Sequence, residues 1–534
     1  MNMQDVSLKW NDYKYFPYEK IFALEELSSI CGARPHEVNG TVKVSIDPKR
    51  VDQLRNLTYF NEISYSDTSF IPTQTLLELS SLNGKNGRNG SYSLSRQNTR
   101  YSAHGLHEYR GKFNPQIVRA VGNILKINRG AWVLDPFCGS GTALLEACHI
   151  GWNCIGFDLN PLAVEISNAK IKALTSSNST LKKSADSLLE SQQSELHKYG
   201  SSVAIPAPIM RNAAGAEWLS SMPNHEYLTK WFSESVLFKT FLILEKIKEQ
   251  VPVNQRIIYK IILSDLLRDV SLQDPADLRI RRRKDGNENY PVIELFLNGV
   301  AKKISVVLAA KDVLGKNEFF QRAYFCDTRS GIHQNSNELS SHGFNKFDFA
   351  ITSPPYATAL PYIDTQRLSL CLLGLINDKQ ISFYEKKLIG TREIDNLTRR
   401  EFEEDIISNK SHLSEKTTTL CNEMLVYSKK KGNGFRRENM PALTYKYFSD
   451  MADAFSTVRG LMKKKGVFAL VVGRNKTSLG GKDFIIETPE LLVSEATQRG
   501  FIHVDTIELN AYMRYDIHRN NSIKTESLII LKKI

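Results

Sequence analysis

The stretch AWVLDPFCGSGTALLEACHIGWNCIGFD, residues 131–158, limits what this chain can fold into more than any other part of it. AWVLD and CIGFD are short apolar runs of strand type, and TALLEACHIG carries helical apolar spacing. Strand, turn, helix and strand in that order make a crossover unit whose two strands run parallel. Parallel strands are buried on both faces, so the rest of the chain must supply a covering layer on each side. An α/β fold follows.

The turn inside this unit has chemistry of its own. Gly139 and Gly141 allow a tight turn and a close backbone approach to a ligand, and the next helix aims its first amides at that ligand. Asp158 ends the second strand, where a carboxylate can accept from both hydroxyls of a ribose. The turn departs from the six-residue dinucleotide fingerprint and lacks the Lys-Ser/Thr of a phosphate-binding loop. A nucleoside without a pyrophosphate suits it better, with Asp135 on the opening strand meeting a cationic amino group.

Asp135-Pro136-Phe137-Cys138-Gly139-Ser140-Gly141-Thr142 resembles the D-P-F-x-G-S-G-T motif of the S-adenosylmethionine-dependent amino-methyltransferases. FDLNP (157–161) is similar to the acidic second motif of that family, and HEYRGKFNPQIV (107–118) to the segment that covers the methionine end of the cofactor. FCDTRS (325–330) resembles the third motif, in which Asp327 would contact the adenine amino group. The resemblance implies a Rossmann-like fold: a seven-stranded, mostly parallel sheet closed by an antiparallel C-terminal hairpin. It also implies S-adenosylmethionine as cofactor, held by Lys112, Phe113, Asp135, Pro136, Phe137, Gly139, Gly141, Thr142, Asp158 and Asp327.

FDFAITSPPY (347–356) reads as a buried strand ending in Ser353-Pro354-Pro355-Tyr356. An exocyclic base nitrogen is a poor nucleophile because its lone pair is delocalised into the ring. Acceptors on its two hydrogens draw it toward a tetrahedral geometry, and Ser353 Oγ with the Pro354 carbonyl would be those acceptors. The prolines leave the loop little entropy to lose, and Tyr356 offers a ring for stacking an extruded base. In the family resembled, Ser at the first position goes mostly with cytosine N4, whereas Asp or Asn goes with adenine N6 or guanine N2. The expected activity is a cytosine-N4 DNA methyltransferase, the modification half of a restriction or phage-defence system. Adenine N6 in DNA, guanine N2 in RNA and a catalytically dead nucleic-acid-binding scaffold are the alternatives. Carbon methylation needs a Pro-Cys nucleophile that this sequence lacks. Methyl transfer from a sulfonium needs alignment more than a metal.

At 534 residues, with 41% hydrophobic and 24% charged residues, the chain suggests a globular protein of two or three lobes. No apolar run is long enough for a bilayer, and MNMQDVSLKWNDYKYF lacks a signal-peptide pattern, so a cytoplasmic protein with no membrane partner is expected. Seven cysteines without a CxxC pair suggest small buried residues and no zinc site. The net charge of +12 permits a polyanionic partner such as duplex DNA. Two clusters concentrate it: Arg279, Arg281, Arg282, Arg283 and Lys284, then Lys429, Lys430, Lys431, Arg436 and Arg437. A groove following phosphates would use such residues, and so would a solvated loop.

The expected organisation runs in six parts. Residues 1–99 form an N-terminal extension, with an aromatic loop entering a helix near Tyr18 and a polar linker over 80–99. Residues 100–161 begin the methyltransferase core, and 162–320 form a mainly helical insertion. Residues 321–374 resume the core with the SPPY loop, 375–440 are charged and irregular, and 441–534 complete the sheet. The insertion with its arginines and the 375–440 segment are the candidate target-recognition regions, and the size of the insertion favours it. Tyr362, Asp364 and Arg367 follow SPPY closely enough to line a base pocket. His104 and His107 read as ordinary polar residues.

Overall fold

The computed structural model describes residues 3–82, 97–109, 111–200, 204–275, 277, 281–284, 289–331, 336–357, 362–430, 434–510 and 525–534. Five strands come first: β1 (Gln4–Trp10), β2 (His36–Val38), β3 (Thr41–Ile46), β4 (Phe60–Tyr65) and β5 (Thr68–Phe70). The central sheet uses β6 (Trp132–Asp135), β7 (Asn153–Asp158), β8 (Gln321–Phe325), β9 (Phe347–Thr352) and β10 (Met462–Gly473). A hairpin of β11 (Asn475–Leu479) and β12 (Lys482–Ile486) follows, then β13 (Phe501–Asn510) and β14 (Thr525–Lys533) return to the sheet.

The seven-stranded sheet has the order β13-β14-β10-β9-β6-β7-β8. Pairings from β10 through β9, β6 and β7 to β8 are parallel, and β14 runs against both β10 and β13. This is the expected Rossmann-like methyltransferase fold with its antiparallel closing hairpin. Alternation along the strands explains the layers. Val133, Cys154, Ala469 and Val471 pack into one core, while Leu134, Ile155, Leu470 and Val472 pack into another. With a side-chain period of two, that places a core on each face of the sheet.

The helix Pro161–Thr175 opens the expected insertion but lies along β8 as part of the covering layer. Beyond it the insertion is helical as expected, with its longest helices at Asn178–Tyr199, Glu234–Gln250, Arg256–Leu266 and Val292–Leu314. Two regions differ from the sequence reading. Residues 4–70 hold a five-stranded antiparallel sheet, not only a loop and a helix, in the order β2-β3-β1-β4-β5. Its helix Pro17–Cys31 packs on the core helix Pro115–Ile124, where Ser29 Oγ donates to the Ile124 carbonyl at 3.0 Å. The 375–440 segment is helical rather than irregular, at Ile381–Lys387, Asn396–Ser408, Glu415–Ser428 and Phe435–Glu438. Ile381–Lys387 and Asn396–Ser408 bury one side chain each, which leaves little periodicity to read.

Candidate active site

The order of the strands creates the site. From β6 the chain crosses to β7 on one side, while β9 lies against β6 on the other, so the loops at their carboxyl ends part and leave a crevice. A cleft of about 780 Å³, open mouth included, occupies that place. Lys112, Phe113, Phe137, Gly139 and Thr142 line it, and Asp158, Asp327, Ser353 and Pro355 come to it from three other segments. Tyr109, Asn160, Tyr362, Leu388 and Ile389 complete the walls.

Gly139 and Gly141 both adopt left-handed backbone, at φ of 49° and 78°. A Cβ on Gly141 would stand 2.8 Å from Ser167 Oγ, so the turn lets the helix Thr142–Ile150 seat against Pro161–Thr175. Asp158 accepts from Gly139 N at 2.9 Å and from Asn160 N at 2.8 Å, one bond on each oxygen. Burial pushes its carboxyl up to about 6, against the pull of those two amides. Each oxygen keeps capacity for another donor, which is what a ribose would bring.

Asp135 lies directly behind this wall and is 1% exposed. Its Oδ1 accepts from Thr352 Oγ1 at 2.6 Å and from Phe137 N at 3.2 Å. Its Oδ2 is buried with no hydrogen-bond partner among the described residues, as is Ser140 Oγ in the glycine turn. Burial, with the charge of Asp158 as the least contribution, raises the Asp135 carboxyl to about 7. A buried acceptor left open costs stability unless a ligand completes it. The amino group of S-adenosylmethionine has the right charge, so the residues present fit that cofactor.

Asp327 sits in the cleft, but Arg329 already holds it. Arg329 Nε and N donate to Oδ1 at 2.9 and 3.1 Å, and Nη2 donates to Oδ2 at 2.7 Å. The same guanidinium reaches Asp450 Oδ1 at 2.6 Å and the Lys387 carbonyl at 2.9 Å, just before the wall residues Leu388 and Ile389. Arg329 therefore fixes the carboxylate and the opposite wall together, and its charge and hydrogen bonds hold the Asp327 carboxyl below its ordinary value against the effect of burial. Replacing Arg329 by Ala should weaken cofactor binding about tenfold and leave turnover at saturation nearly unchanged. Calorimetry and a KM-against-kcat comparison test this, and an equal fall in kcat would reject the positioning role.

The SPPY loop is placed in part as expected. Ser353 and Pro355 face the cleft, and Pro354 is buried. Tyr356 is the correction: it is absent from the cleft lining, and its Oη donates to Glu526 on β14. A Cβ on Gly473 would meet the Tyr356 ring at 3.4 Å, and one on Gly390 would stand 2.6 Å from the Tyr356 carbonyl oxygen. The ring serves the loop's seating, while Tyr109 and Tyr362 supply the aromatic walls. Asp364 and Arg367 pair with each other and do not line the cleft.

The insertion arginines divide. Arg279 lies outside the described residues. Arg281 pairs with Asp277 at 3.3 Å, and Arg283 donates to the Asp269 and Ser271 carbonyls while stacking 5.3 Å from the Tyr290 ring centre. Arg282 and Lys284 are exposed. Deeper helices of the insertion grip the cover segment: Lys303 Nζ donates to the Leu106 carbonyl at 3.0 Å, and Asp265 Oδ1 accepts from Glu108 N at 2.6 Å. His107 is buried there beside Ser264 Oγ at 3.1 Å. His104, Glu146 and His149 form a buried group spaced closely enough for a metal, but Arg119 lies 3.5 Å from Glu146, and Tyr101 donates to Glu146 at 2.7 Å. These contacts make a structural network that ties Tyr101 and His104, just before the cover segment, to the helices Pro115–Ile124 and Thr142–Ile150.

Residues 106–201 match the family described as RMKL-like, methyltransferase domain. The Type II methyltransferase M.MvaI of Kocuria varians is 25% identical over 327 residues, covering 58% of this chain and 67% of that protein. The Type II methyltransferase M.BsoBI of Geobacillus stearothermophilus is 23% identical over 291 residues, covering 53% of this chain and 55% of that one. A tRNA (guanine(10)-N2)-dimethyltransferase of Methanothermobacter thermautotrophicus is 37% identical over 57 residues, 11% of this chain and 17% of its own. The chain thus spans about half to two thirds of the two longer-matching relatives. Family match, motif order and cleft agree on one cofactor, S-adenosylmethionine, and on methyl transfer as the reaction class.

Proposed function

We propose that this chain methylates the exocyclic N4 amine of cytosine in duplex DNA, as the modification half of a restriction or phage-defence system. The observation that carries the reading is Ser353 at the cleft, one residue after Thr352, whose hydroxyl is bonded to Asp135. The acceptor for the substrate amine is thereby tied to the buried carboxylate that lies behind the glycine turn. S-adenosylmethionine supplies, when bound, an electrophilic methyl on a sulfonium. Ser353 Oγ and the Pro354 carbonyl accept the two amine hydrogens and hold the nitrogen lone pair toward that methyl. Neither needs to be a strong base, because alignment accounts for most of the acceleration. A paired base must leave the duplex to reach this depth. The Type II relatives support DNA as the substrate, and the shorter tRNA-modifying relative supports guanine N2 in RNA as the second reading.

Mass spectrometry of nucleosides from cells expressing the chain tests the choice. N4-methylcytosine in DNA is the expected product, absent when Ser353 is changed. N6-methyladenine would overturn the base assignment, and a new methyl mark confined to RNA would overturn the substrate.

A further inference from the structure

We infer that duplex DNA docks on the surface built from the β11–β12 hairpin with residues 427–430 and 434–437, on the rim beside the SPPY loop; this rests on the reading of DNA as the substrate. The stretch YSKKKGNGFRR, residues 427–437, holds five cations and no acid. Lys429, Arg436 and Arg437 are exposed, and none of these three forms a salt bridge among the described residues. Lys430 Nζ lies 3.6 Å from the centre of the Tyr427 ring, and Phe435 is 55% exposed. Cations beside aromatic and apolar groups suit phosphates and sugars better than they suit solvent alone.

Placement makes this patch a substrate surface. Gly473, at the end of β10, packs on the Tyr356 ring, and two residues later Asn475 Nδ2 donates to the Ala357 carbonyl at 2.6 Å. From Asn475 the strand runs to the turn at Gly480, where a Cβ would stand 2.6 Å from the Tyr427 carbonyl and 3.0 Å from Lys430 Cβ. The hairpin turn is therefore seated on the basic segment. At about 3.3 Å per residue, the turn that meets Lys430 stands roughly 17 Å from the exit of the SPPY loop. That is about five base-pair steps, so a duplex with one base in the cleft would bring its phosphates to the basic segment.

A second basic run gives the control. Lys463, Lys464 and Lys465 open β10 at its amino end, roughly 26–33 Å along the strand from Gly473. They lie far from the cleft, Lys463 paired with Asp348 at 2.6 Å and Lys464 and Lys465 exposed.

Binding of a fluorescent, mixed-sequence duplex should be followed by anisotropy across a salt series, for the full chain and two triple variants. Lys429→Gln with Arg436→Gln and Arg437→Gln should weaken binding at least tenfold at low salt. Its log–log salt slope should become shallower by roughly 2 to 3, near 0.9 for each phosphate contact removed. Lys463→Gln with Lys464→Gln and Lys465→Gln should keep the parent slope. Unchanged cofactor affinity by calorimetry shows that both variants are folded. An unchanged slope in the first variant, while the parent still methylates duplex DNA, overturns the docking surface alone. A parent that binds and methylates only RNA overturns the substrate reading instead.

Discussion

Asp135→Asn weakens S-adenosylmethionine binding about 10- to 100-fold and raises the melting temperature of the cofactor-free protein at pH 8. Both effects come from one atom. Asp135 Oδ2 is buried without a partner among the described residues, and its carboxyl is raised to about 7 against an ordinary value near 3.8. For an acid with a raised folded value, the ionised form is better accommodated in the unfolded chain. Its contribution to stability is therefore whole below about pH 4 and is lost as pH climbs through 7. Asn keeps an oxygen for Thr352 Oγ1 and Phe137 N but cannot ionise. The gain at pH 8 should be on the order of 2–4 kcal/mol, with the two proteins melting alike near pH 4. The loss of affinity reflects a missing charge-assisted contact, worth roughly 1.5–3 kcal/mol. In the parent, affinity should rise between about pH 6 and 8, as Asp135 ionises to meet the cationic amino group. Calorimetry and thermal melts across that range decide it. A lower melting temperature at pH 8 with unchanged affinity would mean that Asp135 is purely structural.

Legibility of the fold followed burial. Strands β6, β7, β9 and β10 are apolar on both faces, so their short runs stand out without any knowledge of their neighbours. The first sheet offers much less. β2 exposes all three of its residues, and β1 buries only Val6 and Leu8 outright. Helices Ile381–Lys387 and Asn396–Ser408 each bury a single residue, Ile381 and Ile406, so the sequence there looks merely charged. Helix Glu415–Ser428 was missed with them, although Thr417, Cys421, Met424 and Leu425 keep helical spacing. In the site, residue types were legible but not partners. Asp158 and Gly139 lie close in sequence and bond as a local unit, whereas Arg329 meets Asp450, and Tyr356 meets Glu526, only because the sheet closes. The orientation of Tyr356 was unreadable for that reason. Its hydroxyl partner lies on the last strand, and its slot is shaped by two distant glycines.

That seating sharpens what Ser353 should do when it is changed. The loop is held from outside the cleft by Gly390, Gly473, Glu526 and the Asn475 bond to Ala357, none of which involves the Ser353 hydroxyl. Ser353→Ala should therefore leave those four holds in place while removing an acceptor and the hydroxyl's own contact with Tyr356. Loss of one preorganised group at a reacting centre costs about 2.7–4 kcal/mol, so kcat should fall roughly 100- to 1,000-fold. Cofactor affinity should stay within about twofold, because Asp135, Asp158 and Asp327 are untouched, and duplex affinity should change little. Glu526→Gln is the contrasting case. It weakens the seat of Tyr356 while keeping Ser353, and a loss of about tenfold, accompanied by a lower melting temperature, is expected of it. Single-turnover transfer with saturating cofactor separates the two, since it reports the chemical step apart from release. Equal losses of binding and turnover in Ser353→Ala would make the hydroxyl part of the scaffold. A loss below about threefold would remove Ser353 as the amine acceptor and leave the Pro354 carbonyl to act alone. Because cytosine rather than adenine is inferred from this one side chain, the same measurement bears on the base as directly as on the rate.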